Sequence, residues 1–262
     1  MKEQQLTDAA VKNHKELFPE RVSTMQKTDP EFNALFDNWA FDEVIAQSKL
    51  DAKTRVMLIL ASNIACQALG EYRLMVGAAL NVGVSPVAIK EVVYQCVPYV
   101  GMAKVFDFLN ITNEVLANRG IALPLEGQST TDRENRHAKG LAAQEAIFGN
   151  VIDRLYKNAS PDQLHMQYFL SNNCFGDYYT RGGLDLPMRE LLTFCMLISM
   201  GGCEPQAKAH VTGNIHVGNS RALLIDAVTQ LLPYIGYPRS LNALRIIDEV
   251  VPAPTVSEEQ SK

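Results

Sequence analysis

Several features that mark common classes of protein are missing from this sequence. No uninterrupted apolar run reaches the roughly 18 residues that a membrane-spanning helix needs. The first twenty residues, MKEQQLTDAAVKNHKELFPE, are charged throughout and lack the apolar core of a signal peptide. Basic residues are outnumbered by acidic ones, 24 to 29, which leaves a formal net charge of -5 and no basic footprint. We therefore expect neither a membrane nor nucleic acid as a partner.

Cysteine pairing is a second missing feature. The sequence has five cysteines, an odd number, and no C-x-x-C pair. Disulfide-stabilised secreted domains usually carry an even number, whereas reduced thiols are the rule in cytoplasm. We predict free thiols and a cytoplasmic location. The cysteines are Cys66, Cys96, Cys174, Cys195 and Cys203.

What the sequence does contain is an internal repeat. The stretch LDAKTRVML from Leu50 matches LDLPMRELL from Leu184 at an offset of 134 residues. Further along, a second set of identical residues matches at an offset of 135, so one extra residue entered the second copy, which we place near Gly201 and Gly202. This second set pairs Gly83, Val93, Gln95, Pro98, Tyr99, Gly101, Leu109 and Glu114 with Gly218, Val228, Gln230, Pro233, Tyr234, Gly236, Leu244 and Glu249.

Each copy has the pattern of an all-helical fold. Asp51 and Asp185 precede apolar helices expected over 54–68 and 188–200, and both aspartates are N-cap candidates. Gly70 and Gly201–Gly202 are expected to end these two helices. A second helix is expected over 71–82 and 204–217, and a longer third helix follows it in each copy, with a break near its internal proline. One more amphipathic helix should precede each set, over 30–46 and 161–180. No stretch has the pattern of a strand.

The repeat divides the chain into domains. Residues 1–119 form the first repeat and residues 136–251 the second. Between them, GIALPLEGQSTTDREN over residues 120–135 concentrates turn-forming residues and is predicted to be a linker. Residues 252–262 are predicted to be a disordered tail.

The second copy resembles a carboxymuconolactone decarboxylase domain, and the first copy resembles one more weakly. The resemblance rests on Leu-Asp-x-x-x-Arg-Glu-Leu, His210, the helix end at Gly218, and Pro-Tyr-x-Gly-x-Pro from Pro233, in that order. It implies two tandem copies of an alkylhydroperoxidase D-like helical bundle forming a pseudo-dimer. Because single-domain members assemble into rings of six, it also implies that three chains form an equivalent homo-oligomeric ring.

The same resemblance casts Glu190 and His210 as a catalytic acid-base pair acting on a small-molecule substrate. Decarboxylation of a carboxylated unsaturated lactone requires an oxyanion to be stabilised and a proton to be delivered to carbon, and it needs no cofactor. The extra residue near Gly201 raises the question of whether the two side chains meet. A purely structural buried pair, Glu190 with His210 or with Arg189, is the alternative.

A second hypothesis uses Cys203. Spacings of three and four place Cys203, Gln206 and His210 on one stripe of a helix. In the related alkylhydroperoxidase D branch, a C-x-x-C pair and a histidine form a peroxidase site. Here Gln206 replaces the second cysteine and cannot resolve a sulfenic acid, unless Cys195 does so instead.

The remaining candidates are auxiliary. Tyr99 and Tyr234 are candidate pocket hydroxyls, although packing beside a proline kink is the favoured explanation of both. His216 is expected to point away from His210, at an interface or on the surface. A metal site of Glu204, His210 and His216 lacks the usual spacing, so we expect no metal. In the first copy, Val56 and Met75 replace Glu190 and His210. We therefore expect one site per chain, in the second copy, while a non-enzymatic oligomeric binding protein stays open as a third hypothesis.

Overall fold

The computed structural model describes residues 5–253, and over this range the chain forms helices, turns and loops without a strand. The all-helical prediction is therefore confirmed. Two short segments, Trp39–Glu43 and Leu170–Tyr179, have π-helical geometry. The α-helices are α1 Asp8–Leu17, α2 Met25–Thr28, α3 Pro30–Asn38, α4 Val44–Ala46, α5 Ala52–Ala65, α6 Leu69–Asn81, α7 Pro86–Val100, α8 Met102–Asn118, α9 Arg136–Phe148, α10 Val151–Asn158, α11 Leu164–Phe169, α12 Leu186–Met200, α13 Glu204–His216 and α14 Arg221–Val250.

The helices repeat in the order that the sequence match predicts. Helices α5, α6 and α7 correspond to α12, α13 and the first part of α14, and each π-helical segment lies just ahead of its set. Asp51 and Asp185 cap α5 and α12 by accepting hydrogen bonds from backbone N–H groups, as predicted.

The expected proline breaks lie at the glycines three residues further on. Pro98 and Pro233 remain inside helices, and the chain leaves helical geometry at Gly101 and Gly236. Both glycines have positive φ angles, 89° and 75°, which residues with a Cβ rarely adopt. The pair therefore separates α7 from α8, and the two parts of α14 from each other.

One predicted helix stop is wrong. Gly70 was expected to end the first apolar helix, but it lies in the first turn of α6. The chain instead turns at Gln67, with a φ of 60°, in the middle of the three-residue connection, where the second copy has Gly202 with a φ of 73°. A left-handed non-glycine residue gives no signal in the sequence, which is why the stop was misplaced.

The two repeats share one core and pack as a pseudo-dimer. Helix α5 packs against α12, where the Ser62 and Ser199 hydroxyls lie 2.8 Å apart, and α7 and α14 each pack against the other repeat's apolar helix. The buried hydrophobic cluster runs through both repeats. No helix between residues 5 and 253 is both long and apolar enough to cross a bilayer.

The chain between the repeats is free of helix. Residues 120–135 run as turns and extended segments from α8 to α9. The predicted tail over 252–262 lies outside the described residues except for Pro252 and Ala253, which are exposed.

Candidate active site

Glu190 and His210 meet in the interior of the second repeat. The His210 Nδ1 atom lies 2.8 Å from Glu190 Oε2. Glu190 is fully buried on α12, and His210, on α13, is 6% exposed. The extra residue in the second copy is absorbed in α12, which has one residue more than α5, while the connection to the next helix has three residues in both copies. The added residue therefore leaves the two facing helices in register.

Helices α12 and α13 are held together beside this pair by Asn214 and Gly213. The Asn214 side-chain amide donates to the backbone carbonyls of Glu190, at 3.1 Å, and His210, at 2.7 Å. A Cβ at Gly213 would lie 2.7 Å from Glu190 Oε2, closer than real side-chain contacts. The absence of a side chain at this position is therefore what gives the carboxylate its space.

Aromatic rings surround His210. The Tyr99 and Phe148 rings meet the imidazole edge-on, with centroids 5.7 Å and 5.3 Å away. Among the described residues, none forms a hydrogen bond with His210 Nε2. Because Glu190 accepts from Nδ1–H, the outer nitrogen, Nε2, is the one left to exchange a proton with a substrate. Apolar walls also strengthen the electrostatic interaction within the pair.

Two tyrosines extend the site. The sequence motifs do not include Tyr179, and they indicate Tyr99 only as a candidate pocket hydroxyl. The Tyr179 hydroxyl, from the second π-helical segment, donates to Glu190 Oε1 at 2.8 Å. The hydroxyl of Tyr99, from the first repeat, lies 2.8 Å from that of Tyr179. Burial raises the pKa of both tyrosines well above the usual value, so both remain protonated donors. Extending the repeat comparison upstream pairs Tyr179 with Ile45, a polarity change that would have marked it.

Arg189 does not pair with Glu190. It is fully buried, and its guanidinium contacts Glu91 of the first repeat at 3.0 Å and donates to Gln95 at 3.0 Å. Arg181 forms a second ion pair with Glu91, at 2.9 Å. Arg189 therefore joins the two repeats, and the carboxylate of Glu190 is left to His210 and Tyr179.

Cys203 and Gln206 lie away from the pair. Cys203 is the residue before α13, where its thiol donates to the Leu197 carbonyl at 3.2 Å, and Gln206 is exposed. The predicted common stripe with His210 is thus wrong, because Cys203 is outside the helix. Burial, with a smaller contribution from Glu204, raises the pKa of the Cys203 thiol. Cys195 is fully buried, and all five cysteines are free. These observations disfavour a dithiol peroxidase.

His216 and Tyr234 also lie elsewhere. His216 is exposed at the end of α13, and its Nδ1 atom lies 2.8 Å from the Ile147 carbonyl of α9. It therefore points away from His210, as predicted. Tyr234 lines a small cavity beside Arg55 in the first repeat. Within residues 5–253, no three His, Cys, Asp or Glu side chains are grouped as metal ligands would be.

That small cavity is the first repeat's counterpart of the site. Arg55, Gln230 and Tyr234 line it where Arg189, Gln95 and Tyr99 lie in the second repeat. Val56 and Met75, at the positions of Glu190 and His210, are fully buried. The counterpart therefore retains the arginine, the glutamine and the tyrosine and has neither member of the Glu190–His210 pair.

Comparison with known proteins agrees with this arrangement of two helical repeats. The carboxymuconolactone decarboxylase family model matches twice, over residues 30–114 and 165–249, and the chain belongs to that family. The chain is 25% identical over 118 residues to 4-carboxymuconolactone decarboxylase from Acinetobacter baylyi, a match covering 45% of this chain and 87% of that protein.

A solved structure shares the whole fold. It is a putative gamma-carboxymuconolactone decarboxylase subunit from Burkholderia xenovorans, with a TM-score of 0.53 and 20% identity. The match covers 94% of this chain and 98% of that one. At this identity the likeness extends to the fold, including its tandem arrangement, and no further.

Proposed function

We propose that this protein decarboxylates a carboxylated unsaturated lactone or a similar small molecule, with Glu190 and His210 as its acid-base pair. The observation that carries the proposal is the 2.8 Å contact between a fully buried carboxylate and an imidazole whose other nitrogen has no described partner. The relative from Acinetobacter baylyi, by its name, decarboxylates 4-carboxymuconolactone, which makes that compound the first substrate to test.

The reaction needs one proton for each CO2 released. When the bond between the carboxylate and the ring carbon breaks, its electron pair spreads into the conjugated lactone carbonyl. Imidazolium at His210 then transfers the Nε2 proton to carbon, and Glu190 stabilises that imidazolium through Nδ1–H. Neutral His210 regains a proton from solvent through its exposed edge, which closes the cycle.

Substitution of the pair tests this proposal. We expect Glu190→Gln and His210→Asn to lower kcat for 4-carboxymuconolactone about 100-fold or more, followed by loss of lactone absorbance. His216→Asn is the matched control, since it removes an exposed histidine from the same helix. Equal rates in wild type and both site variants would refute the proposal. Tight binding of the lactone without turnover would favour the binding-protein hypothesis instead.

In this proposal, the two repeats have different roles. The second repeat, residues 136–251, supplies the acid-base pair. The first, residues 1–119, supplies Tyr99 and a degenerate counterpart of the site. The linker over 120–135 joins them.

We further propose that three chains assemble into a ring. The supporting observation is that exposed apolar side chains occupy equivalent positions in both repeats, as expected if each repeat presents the same surface to a neighbouring chain. In one set, aromatic contacts connect Phe32 through Phe36 and Trp39 to Tyr237. The equivalent exposed pairs are Phe32 and Met166, Leu35 and Phe169, Tyr237 and Met102, and Leu241 and Phe106.

Light scattering after size exclusion tests the assembly. We expect the mass of three chains for the wild type and a smaller species for Leu35→Asp combined with Phe169→Asp. Val22→Asp, which charges an exposed apolar residue outside both sets, is the control. A wild-type monomer would contradict the ring.

A further inference from the structure

A line of buried hydrogen bonds crosses from the first repeat to the Glu190 carboxylate. Arg189 Nη1 donates to Gln95 Oε1 at 3.0 Å, and Gln95 Nε2 donates to Thr193 Oγ1 at 3.3 Å. Thr193 Oγ1 in turn lies 2.8 Å from the Tyr179 hydroxyl, which donates to Glu190 Oε1 at 2.8 Å. The line begins at a permanent cation and ends at the carboxylate of the acid-base pair.

The direction of every bond in this line follows from its first member. Arginine has only donors, so Gln95 must accept with its oxygen and point its NH2 group at Thr193. Thr193 then accepts from Gln95, and its own proton is free for Tyr179. Tyr179 has one proton and two lone pairs. It accepts from Thr193 and Tyr99, and its single proton is left for Glu190.

The first repeat shows which members of the line the fold itself requires. Its small cavity is lined by Arg55, Gln230 and Tyr234, the counterparts of Arg189, Gln95 and Tyr99. In the same cavity, Ile45 and Ile59 stand where the second repeat has Tyr179 and Thr193. Tyr179 and Thr193 therefore change polarity together with Glu190 and His210, while Arg189, Gln95 and Tyr99 keep identical counterparts.

From this we propose that Tyr179 is the positioning residue of the Glu190–His210 pair, with Thr193 and Tyr99 fixing the direction of its hydroxyl. By donating to Oε1, Tyr179 holds the carboxylate so that Oε2 faces His210 Nδ1. The catalytic consequence rests on the proposed decarboxylase function, whereas the positioning itself does not.

Tyr179→Phe tests the role because it removes one oxygen and keeps the ring packed against Phe175, whose centroid is 4.6 Å away. Tyr178→Phe is the matched control, since it removes the hydroxyl of the preceding residue, which is only partly buried. Thr193→Val is a second, isosteric variant. It leaves the Tyr179 donor in place, so its effect should have the same direction and be smaller.

The first readout needs no substrate. A ring-selective proton–nitrogen NMR spectrum, assigned with His210→Asn, should show a protected Nδ1–H signal for His210 in wild type and Tyr178→Phe. We expect exchange with water to broaden this signal in Tyr179→Phe, because the freed carboxylate rotates. Circular dichroism and melting temperature check that each variant is folded.

The second readout is turnover. We expect Tyr179→Phe to lower kcat about ten-fold with KM within two-fold, the value of one hydrogen bond to a charged group. A protected His210 signal in folded Tyr179→Phe would overturn the proposal, whatever the rate. Loss of that signal alongside a wild type that turns over no lactone would uphold the positioning role and overturn the decarboxylase function.

Discussion

Replacing Gly213 by alanine is expected to break the Glu190–His210 hydrogen bond without unfolding the protein. The new Cβ would lie 2.7 Å from Glu190 Oε2 and 2.6 Å from Ile147 Cγ2, where ordinary contacts begin at 3.4 Å. The Glu190 carboxylate is the end of a side chain and can move, whereas Ile147 is fully buried and its Cγ2 methyl is attached to Cβ, so Ile147 must change rotamer or α9 must shift. The carboxylate must retreat by about 0.7 Å, which would lengthen a 2.8 Å hydrogen bond to a distance at which it is weak.

The two effects of the substitution on stability oppose each other. Loss of a charge-assisted hydrogen bond costs about 1.5–3 kcal/mol, and alanine in a helix interior recovers about 1 kcal/mol relative to glycine. Crowding against Ile147 adds about 1–3 kcal/mol, so we expect a net loss of about 1.5–5 kcal/mol. In addition, kcat should fall at least about ten-fold, because the imidazolium loses the hydrogen bond that stabilises it.

Thermal melting and the lactone assay, run together, separate these effects. Gly77→Ala is the control: its Cβ would meet only Arg119 Nη2, at 3.7 Å, so it should be neutral or stabilising. In the first repeat, Ala78 stands at the position of Gly213 and Val56 at the position of Glu190. An alanine is therefore compatible with this helix position where the neighbouring residue is not a glutamate. In a Glu190→Ala background, Gly213→Ala should therefore cost less stability than in the wild type, because only the crowding against Ile147 remains. Wild-type kcat in Gly213→Ala alone would refute the reasoning.

Three further predictions concern charges and thiols. Glu91→Gln, which leaves the buried Arg189 without its counter-ion, should lower the free energy of unfolding in urea by about 3 kcal/mol or more, whereas exposed Glu249→Gln should not. Val56→Glu should lower the free energy of unfolding by about 3 kcal/mol, because the new buried carboxylate would face Met75, where Glu190 has His210 as its partner. An unchanged free energy of unfolding would contradict this expectation. Burial raises the pKa of the Cys203 thiol, so its alkylation at pH 7 should be slower than that of free cysteine and should accelerate as the pH rises. The Cys203→Ser variant should keep the lactone activity. Rapid alkylation at pH 7 would instead support the thiol hypothesis.

Most of the fold could be predicted from the sequence, because each helix predicted in one repeat could be compared with its counterpart in the other. The N-caps at Asp51 and Asp185, and the breaks near Pro98 and Pro233, recur at matching positions. The prediction failed where the copies use different residues for one conformation. Gln67 adopts the left-handed conformation that Gly202 adopts in the second repeat, and no local sequence pattern predicts that conformation for a glutamine.

The central pair of the site, Glu190 and His210, could be predicted from the sequence, whereas the tyrosines beside it could not. Glu190 and His210 stand out as polar residues in apolar helices. Tyr179 lies outside the motif, five residues ahead of Leu184, in a π-helical segment whose wider turns shift side chains off the usual helical spacing. Tyr99 was judged a structural residue beside a proline. Only the packing of α7 against α12 brings its hydroxyl to the site.

Residues of both repeats line each of the two equivalent places where the repeats meet, and this arrangement affects how mutations can change them. In an assembly of identical single-repeat chains, one codon change alters every site at once, so no site can lose its chemistry while another keeps it. Covalent duplication removes that coupling. Here Tyr99 of the first repeat contacts His210 of the second, whereas Tyr234 of the second repeat lines a cavity with Arg55 of the first, and each contact can be selected separately. The cavity beside Tyr234, which lacks the Glu190–His210 pair, is thereby free to acquire a different ligand or role without altering the first contact.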